Sequence, residues 1–160
     1  MVAHAYRLNW LPVLFFLCLA ILSYLLNFNG LYGQDAHEYL RQSRVIFDRL
    51  SGLPGPPAEL GDAEFAGGYP LLGALFRFLL GDSVLALQVL SWVAAALGLW
   101  VFERLLALLA PGARADSRWV MAGLGVVLAP MFLRASLTSM SDGLGLLFAL
   151  STFFFGFRAL

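Results

Sequence analysis

Long runs without a charged side chain constrain the fold of this chain more than any other feature. Leu8 to Phe28 and Val84 to Phe102 are uncharged, and the second run covers 19 residues. A helix needs about 20 mostly apolar residues to cross the hydrocarbon core of a bilayer. Both runs are long enough, and LLALLA continues the second one to Ala110. They predict membrane-spanning helices at 8–28 and 84–110.

The composition of the chain also indicates that a lipid bilayer surrounds much of it. Only 12% of the 160 residues are charged, against about 25% in ordinary soluble domains, and the mean hydropathy is +0.81. The formal net charge of zero removes the electrostatic argument for a nucleic-acid partner. The single cysteine, Cys18, lies in an apolar run and cannot form an intramolecular disulfide. We therefore expect the lipid bilayer as a partner and no nucleic acid.

Two shorter uncharged runs follow in the C-terminal part of the chain. Trp119 to Leu133 and Gly143 to Phe157 contain 15 residues each, and the polar stretch RASLTSMSD separates them. This pattern predicts a helical hairpin with spans at 119–134 and 142–158. The expected fold class is therefore an all-α polytopic membrane protein with about four transmembrane helices, in a single domain covering residues 1–160.

The segment 69–80, YPLLGALFRFLL, decides the topology. Apolar runs of this length are more often interfacial or re-entrant than spanning. If it does not span, Asp35 and Asp142 emerge on the same side of the membrane. The positive-inside rule favours a spanning segment, because the arginines otherwise divide five to five across the membrane. The cost of placing Arg77 in lipid favours a juxtamembrane or re-entrant helix, with a cytoplasmic N-terminus, and we adopt that interpretation.

The predicted external loop, residues 29–83, also contains an amphipathic helix at 36–50. Its apolar residues follow the spacing of one helical face, which predicts a helix lying in the membrane interface with that face toward lipid. Asp35 precedes this helix and Glu38 follows three residues later, which is the spacing of a capping box. Ser139-x-x-Asp142 is a second capping signature. Both acids therefore have a structural interpretation as well as a functional one.

The same segments carry a resemblance to a known enzyme family. The first span ends in NFNGLYGQD, the loop continues DAHEYLRQSRVI with Asp35 four residues before Tyr39, and GGYPLLGALFRFLLGD leads into the next span. PMFLRASLTSMSDGLGLLFAL opens a later helix with an acid. In this order they resemble the N-terminal part of a GT-C glycosyltransferase, particularly the protein O-mannosyltransferase-like and aminoarabinose-transferase-like branches. The resemblance covers nearly all of the chain.

Two departures from the family pattern accompany this resemblance. Many relatives carry Asp-Glu in the first loop, whereas Ala36 follows Asp35 here and Glu38 is displaced by two positions. Enzymes of this family are also several hundred residues long with roughly a dozen spans. The resemblance therefore implies that the 160 residues are an N-terminal part, incomplete at the C-terminus and inactive alone.

The resemblance implies specific roles for the polar residues. Asp35 matches the catalytic base of the family, which deprotonates an acceptor hydroxyl while the sugar leaves a polyprenyl phosphate with inversion. Asp142 matches a second external acid, which helps to bind a divalent metal in some branches and not in others, so metal dependence stays open. A cation near the interface stabilises the departing phosphate. The substrate-binding set is predicted to comprise Asp142, Arg134, Arg41, Tyr39, Glu38 and His37.

The expected function is thus transfer of a sugar from a polyprenyl-phosphate donor at the external face of a multi-pass protein in the bacterial inner membrane. A second hypothesis is a non-enzymatic membrane scaffold or assembly subunit, in which Asp35 and Asp142 only cap helices. A position for both acids on one side of the membrane favours the first hypothesis, because an enzyme needs them near one another.

Overall fold

The computed structural model describes residues 10–54, 67–112, 117–118, 121–123, 125 and 129–159. Within these ranges the secondary structure is helical and no strand occurs, so the all-α class is confirmed. The helices with both ends in the described ranges are α1 (Leu11–Leu25), α2 (Gly33–Leu50), α3 (Gly68–Leu80), α4 (Ser83–Leu109), α5 (Pro130–Leu137) and α6 (Asp142–Ala159).

Two of these helices are long and apolar enough to cross a membrane, namely α4 and α6. The helix α1 has 15 residues, so it is shorter than the predicted span 8–28, and α3 is also a short apolar helix. The predicted span 119–134 is interrupted, because Ala129 is not helical and α5 begins at Pro130. Residues 119–120, 124 and 126–128 of that span lie outside the described residues.

The helix α4 is the centre of the fold, and every other named helix packs against it. Asp82 caps its start by accepting a hydrogen bond from the backbone N–H of Leu85 at 2.7 Å. The helix α1 contacts it through an apolar cluster that includes Leu19, Trp92 and Ala95. Gln88, near the start of α4, bonds to the carbonyl of Phe28, which follows α1, so the C-terminal end of α1 lies beside the start of α4.

The helix α2 packs against protein where the amphipathic pattern predicted contact with lipid. Its buried residues Tyr39 and Leu40 form a cluster with Tyr69 of α3 and with Leu87 and Leu90 of α4. The hydrophobic face was thus identified correctly, but its partner is the rest of the molecule. The helix also begins at Gly33, and Tyr32 is its N-cap residue with no side-chain capping bond. The predicted capping box at Asp35 is therefore wrong.

The short helix α3 folds back along the start of α4. Gly81 adopts a left-handed conformation directly after α3, with φ of 75°, and α4 begins two residues later. Arg77 faces α2, where its guanidinium lies 3.6 Å from the Asp48 carboxylate and 3.9 Å from the centre of the Phe47 ring. The face of α3 turned away from the protein is apolar and exposed, at Leu71, Leu75, Phe78 and Leu79.

Candidate active site

Three segments distant in sequence meet beside the start of α4. The Gln88 side chain of α4 donates a hydrogen bond to the carbonyl of Phe28 at 2.9 Å. The backbone N–H of Ser139, between α5 and α6, donates to the carbonyl of Gly30 at 2.8 Å. Gly30 has φ of +78°, and a Cβ there would lie 2.7 Å from the Ser139 hydroxyl, so this position requires glycine. We call this meeting point of residues 28–32, 88 and 139–141 the junction.

The junction brings the two acid-bearing helices together. Tyr39, one helical turn after Asp35, shares a hydrogen bond with the Ser141 hydroxyl, the two oxygens being 2.9 Å apart. Ser141 directly precedes Asp142, the first residue of α6. Asp35 lies in the first turn of α2, and both acids are exposed. The start of α6 therefore lies beside the second turn of α2, and the carboxylates of Asp35 and Asp142 are exposed.

A second tyrosine, Tyr69, is fully buried and packs against Tyr39. The Tyr69 hydroxyl donates to the carbonyl of Leu87 at 3.0 Å and lies 2.8 Å from the Ser91 hydroxyl. Burial raises the pKa of Tyr69, so the phenol stays protonated and keeps this donor. Its ring meets the Tyr39 ring edge to face, with centroids 5.2 Å apart. Tyr39 is thus held between Ser141 and a phenol anchored on α4.

The cations of the predicted site occupy different positions. Arg134, in the last turn of α5, has its guanidinium over the ring of Tyr32, 5.3 Å from the ring centre. Arg41 donates from Nε to the Glu38 carboxylate at 2.9 Å. Gln42 also donates to that carboxylate at 2.9 Å. Because Glu38 already engages Arg41, Arg134 is the better candidate to meet an anion near Asp35.

The same contacts fix the charge of Glu38. The hydrogen bond from Arg41, reinforced by that from Gln42, lowers the pKa of the Glu38 carboxyl from 4.5 to about 2. Glu38 is consequently an anion at any physiological pH and is a poor candidate for a proton acceptor. His37 is exposed on α2. Among the described residues, no group of three or more His, Cys, Asp or Glu side chains could hold a metal ion.

The predicted second capping signature is not formed. The Ser139 hydroxyl is buried and is not the cap of α6, which begins three residues later. The backbone of Ser139 instead binds the first loop, and α6 begins at Asp142. Ser139 therefore fixes the position of α6 relative to α2 by a long-range contact, and Asp142 is left exposed at the helix start.

Several residues that build the site were not identified from the sequence. Gln88, Ser141 and Tyr69 make the contacts that join the segments, and Tyr32 contacts Arg134. One signal was present for the α4 residues, since Gln88 and Ser91 are polar positions inside a predicted span, where polar side chains usually find partners. Nothing in the sequence pairs Tyr39 with Ser141.

A cavity of about 190 Å³ lies elsewhere, between α4, α5 and α6. It is lined by apolar residues, among them Leu99, Phe102, Phe132 and Leu146. It provides no group for acid, base or phosphate chemistry, so the junction is the candidate active site. No protein-family model matches the chain, and comparison with curated proteins and with solved structures gives no match.

Proposed function

We propose that this chain forms the base-carrying part of a membrane glycosyltransferase that uses a polyprenyl-phosphate sugar as donor. The observation that carries the proposal is the hydrogen bond between Tyr39 and Ser141, which joins the N-terminal half of α2 to the start of α6. Asp35, Asp142 and Arg134 are all exposed, and the two acids lie on separate helices. A scaffold with two helix caps does not require this arrangement, and neither acid forms a capping box.

The proposed reaction uses the exposed carboxylate of Asp35 as general base. It takes the proton from an acceptor hydroxyl while the acceptor oxygen forms a bond to C1 of the sugar. The bond between C1 and the phosphate oxygen breaks at the same time, so the configuration at C1 inverts and polyprenyl phosphate leaves. The guanidinium of Arg134 stabilises the negative charge that this leaving group gains. Asp142 contacts the substrate or a bound divalent metal.

The direction and length of two helices support the proposed membrane arrangement. The helices α4 and α6 both run away from the junction, and both are long and apolar enough to cross a bilayer. We propose that α1 and the region of 119–134 complete a set of four spans, with α2 and α3 at the external face of a bacterial inner membrane. In this arrangement the N-terminus is cytoplasmic. The exposed apolar face of α3 then lies against lipid at the interface.

The reaction is tested in the full-length natural protein that contains this chain, by adding a panel of prenyl-phosphate hexoses and pentoses to it in detergent and measuring the release of prenyl phosphate. A productive donor is expected to lose prenyl phosphate with the wild type. Asp35→Asn is expected to be slower by about a hundred- to ten-thousandfold. The matched control is Asp48→Asn, which removes an acid of the same helix that pairs with Arg77 away from the junction. Equal rates for Asp35→Asn and wild type would exclude Asp35 as the base.

The sidedness of the site is tested separately in intact cells. Cys18 is replaced by Ala, and single cysteines are introduced at His37 and Asp142, both of which are exposed. A membrane-impermeant maleimide is expected to label both cysteines from outside. Labelling of the two positions from opposite sides would refute the shared site and, with it, the proposed reaction.

Exposed aromatic residues on α6 favour the second candidate function, a non-enzymatic membrane scaffold or assembly subunit. Phe148, Phe153, Phe155 and Phe157 are all exposed, and such a surface fits a partner helix as well as lipid. The two functions differ in the effect of Asp35→Asn. In a scaffold this exposed acid is dispensable, whereas release of prenyl phosphate requires it.

A further inference from the structure

Tyr32 occupies an unusual place in the candidate active site. It immediately precedes α2 in extended conformation, three residues before Asp35, and its side chain makes no capping bond to that helix. Tyr32 as a whole is 57% exposed. Tyr39 and Tyr69, in contrast, are buried and use their hydroxyls to join helices. The position of Tyr32 therefore contributes little to the core, and its ring contact reaches Arg134.

The partner of Tyr32 reaches the junction from a different helix. Arg134 lies in the last turn of α5, where the Thr138 hydroxyl donates to its carbonyl at 2.8 Å and fixes the helix end. Its own side chain is long and exposed. An arginine on such a surface samples many rotamers, and ordering it costs entropy. An aromatic face that holds the guanidinium reduces this cost before an anion arrives.

An aromatic ring holds a guanidinium without neutralising it. The three ion pairs among the described residues are Arg41 with Glu38, Arg77 with Asp48 and Arg104 with Glu103. Arg134 is in none of them, so its positive charge is retained over the ring of Tyr32, the residue that precedes α2. A guanidinium that lies over a ring also keeps its in-plane N–H donors available for a phosphate. A carboxylate in the place of Tyr32 would compete with the phosphate for those donors.

We propose that Tyr32 is a positioning residue, whose ring holds the Arg134 guanidinium near Asp35, ready for the phosphate of a prenyl-phosphate donor. This inference rests on the proposed function, because it assigns Arg134 to the leaving phosphate. Tyr32 acts through Arg134 and does not touch the reacting atoms. This positioning role also explains why an exposed tyrosine occurs in NGLYGQD, since the side chain of Tyr32 neither caps a helix nor packs in the core.

The test measures binding of fluorescent farnesyl phosphate and of the matching neutral farnesol to the full chain in maltoside micelles, by fluorescence anisotropy. Wild type is expected to bind the phosphate more tightly than the alcohol, and Tyr32→Phe is expected to behave like wild type. Tyr32→Leu is expected to weaken phosphate binding by about two- to fivefold, the range for an exposed cation–π contact. Farnesol binding is expected to stay unchanged. The matched control is Tyr24→Leu, at an exposed tyrosine of α1.

A double-mutant cycle separates positioning from a structural effect. Arg134→Gln alone should weaken phosphate binding, and Tyr32→Leu should have no further effect in that background. Weaker binding of both ligands by Tyr32→Leu, or an equal loss with and without Arg134, would overturn the positioning role while leaving the proposed function intact. If wild type shows no preference for the phosphate, the proposed function fails at this site and the inference fails with it.

Discussion

The two acid-bearing helices have the same length but opposite surroundings. Both α2 and α6 contain 18 residues and have an acid in the first turn. The helix α2 buries one face, including Ala36, Tyr39 and Leu40, and exposes polar residues on the other. The helix α6 has no charged residue between Asp142 and Arg158 and buries little of its surface, with Gly143 its only buried residue in the described part of the chain. One helix is thus held by protein and the other is suited to lipid.

This difference explains why a site can form at their first turns. A helix fixed on the protein presents Asp35 at a defined position, and in the proposed membrane arrangement α6 presents Asp142 at the membrane surface. The Tyr39–Ser141 hydrogen bond and the Ser139–Gly30 backbone bond connect the two. Substitutions in the two helices are therefore expected to have different effects, because a side chain that faces lipid and a side chain packed against protein tolerate different replacements.

The largest effect is expected from a charge on the exposed surface of α6. Phe148 is 60% exposed near the middle of the helix, and an arginine at the centre of a spanning helix costs about 2.5–3.5 kcal/mol of insertion free energy. Phe148→Arg should therefore reduce the fraction of chains that insert α6, measured by glycosylation of an engineered acceptor site. Arg44→Ala on the exposed face of α2 is the control and should leave insertion unchanged. Normal insertion of Phe148→Arg would contradict a lipid-facing α6.

A smaller effect is expected where α3 packs closely on α2 and α4. A Cβ at Gly73 would clash with the side chain of Leu87 and would lie 3.0 Å from the Ser43 hydroxyl. Both neighbours are buried, so Gly73→Ala should destabilise the protein by about 1–3 kcal/mol, the usual cost of overpacking. Thermal unfolding in detergent measures this effect. The matched control is Gly145→Ala on α6, where a Cβ meets nothing within 4 Å and alanine favours the helix. Equal unfolding midpoints for both variants would contradict the tight packing.

The contact between the two helices is expected to contribute less than the packing. Tyr39→Phe removes the hydroxyl that meets Ser141, and a hydrogen bond of this kind contributes about 0.5–1.5 kcal/mol. Ser141→Ala should have a similar effect on the unfolding free energy, and the double variant should lose little more than either single one. Fully additive losses would show that the two hydroxyls act independently and would remove the link between the acids.

The sequence predicted the local elements of this fold better than their partners. The helical periodicity around Tyr39 identified the buried face of α2, and the uncharged run from Val84 identified α4, because both signals depend on neighbouring residues. The partner of that face was predicted wrongly, since periodicity shows which side is apolar and not whether lipid or protein covers it. The side chain of Asp82 caps α4. Asp35 does not cap α2, because that helix already begins at Gly33, with Tyr32 as its N-cap residue.

The candidate site was also predictable only in part, because local sequence signals identify residues and not their distant partners. Asp35 and Asp142 stood out as acids beside apolar runs, and both lie exposed at helix starts. The hydrogen bond that brings their helices together joins Tyr39 and Ser141, which are 102 positions apart. Hydroxyl pairs of this kind have no spacing rule, since their geometry is set by how α2 and α6 pack around α4. The structure was needed to find them.

The smallest effect expected is the pH dependence that Glu38 gives to α2. The bonds from Arg41 and Gln42 lower its pKa from 4.5 to about 2 in the folded protein. A carboxyl whose pKa is lowered by folding stabilises the protein above its unfolded pKa, and this contribution is lost as the carboxyl takes up a proton. The unfolding midpoint of wild type should therefore fall as the pH drops from 4.5 toward 2, whereas Glu38→Gln should lack this part of the decline.

Arg41→Gln provides the partner control for that titration, because Arg41 is the largest cause of the lowered pKa. It should remove most of the same pH dependence while leaving the Glu38 carboxyl in place. Since both side chains remain partly exposed, salt should also reduce the effect. An identical decline in wild type and Glu38→Gln would show that Glu38 is not held as an anion by Arg41. In that case Arg41 would regain equal standing with Arg134 as the cation that meets the phosphate.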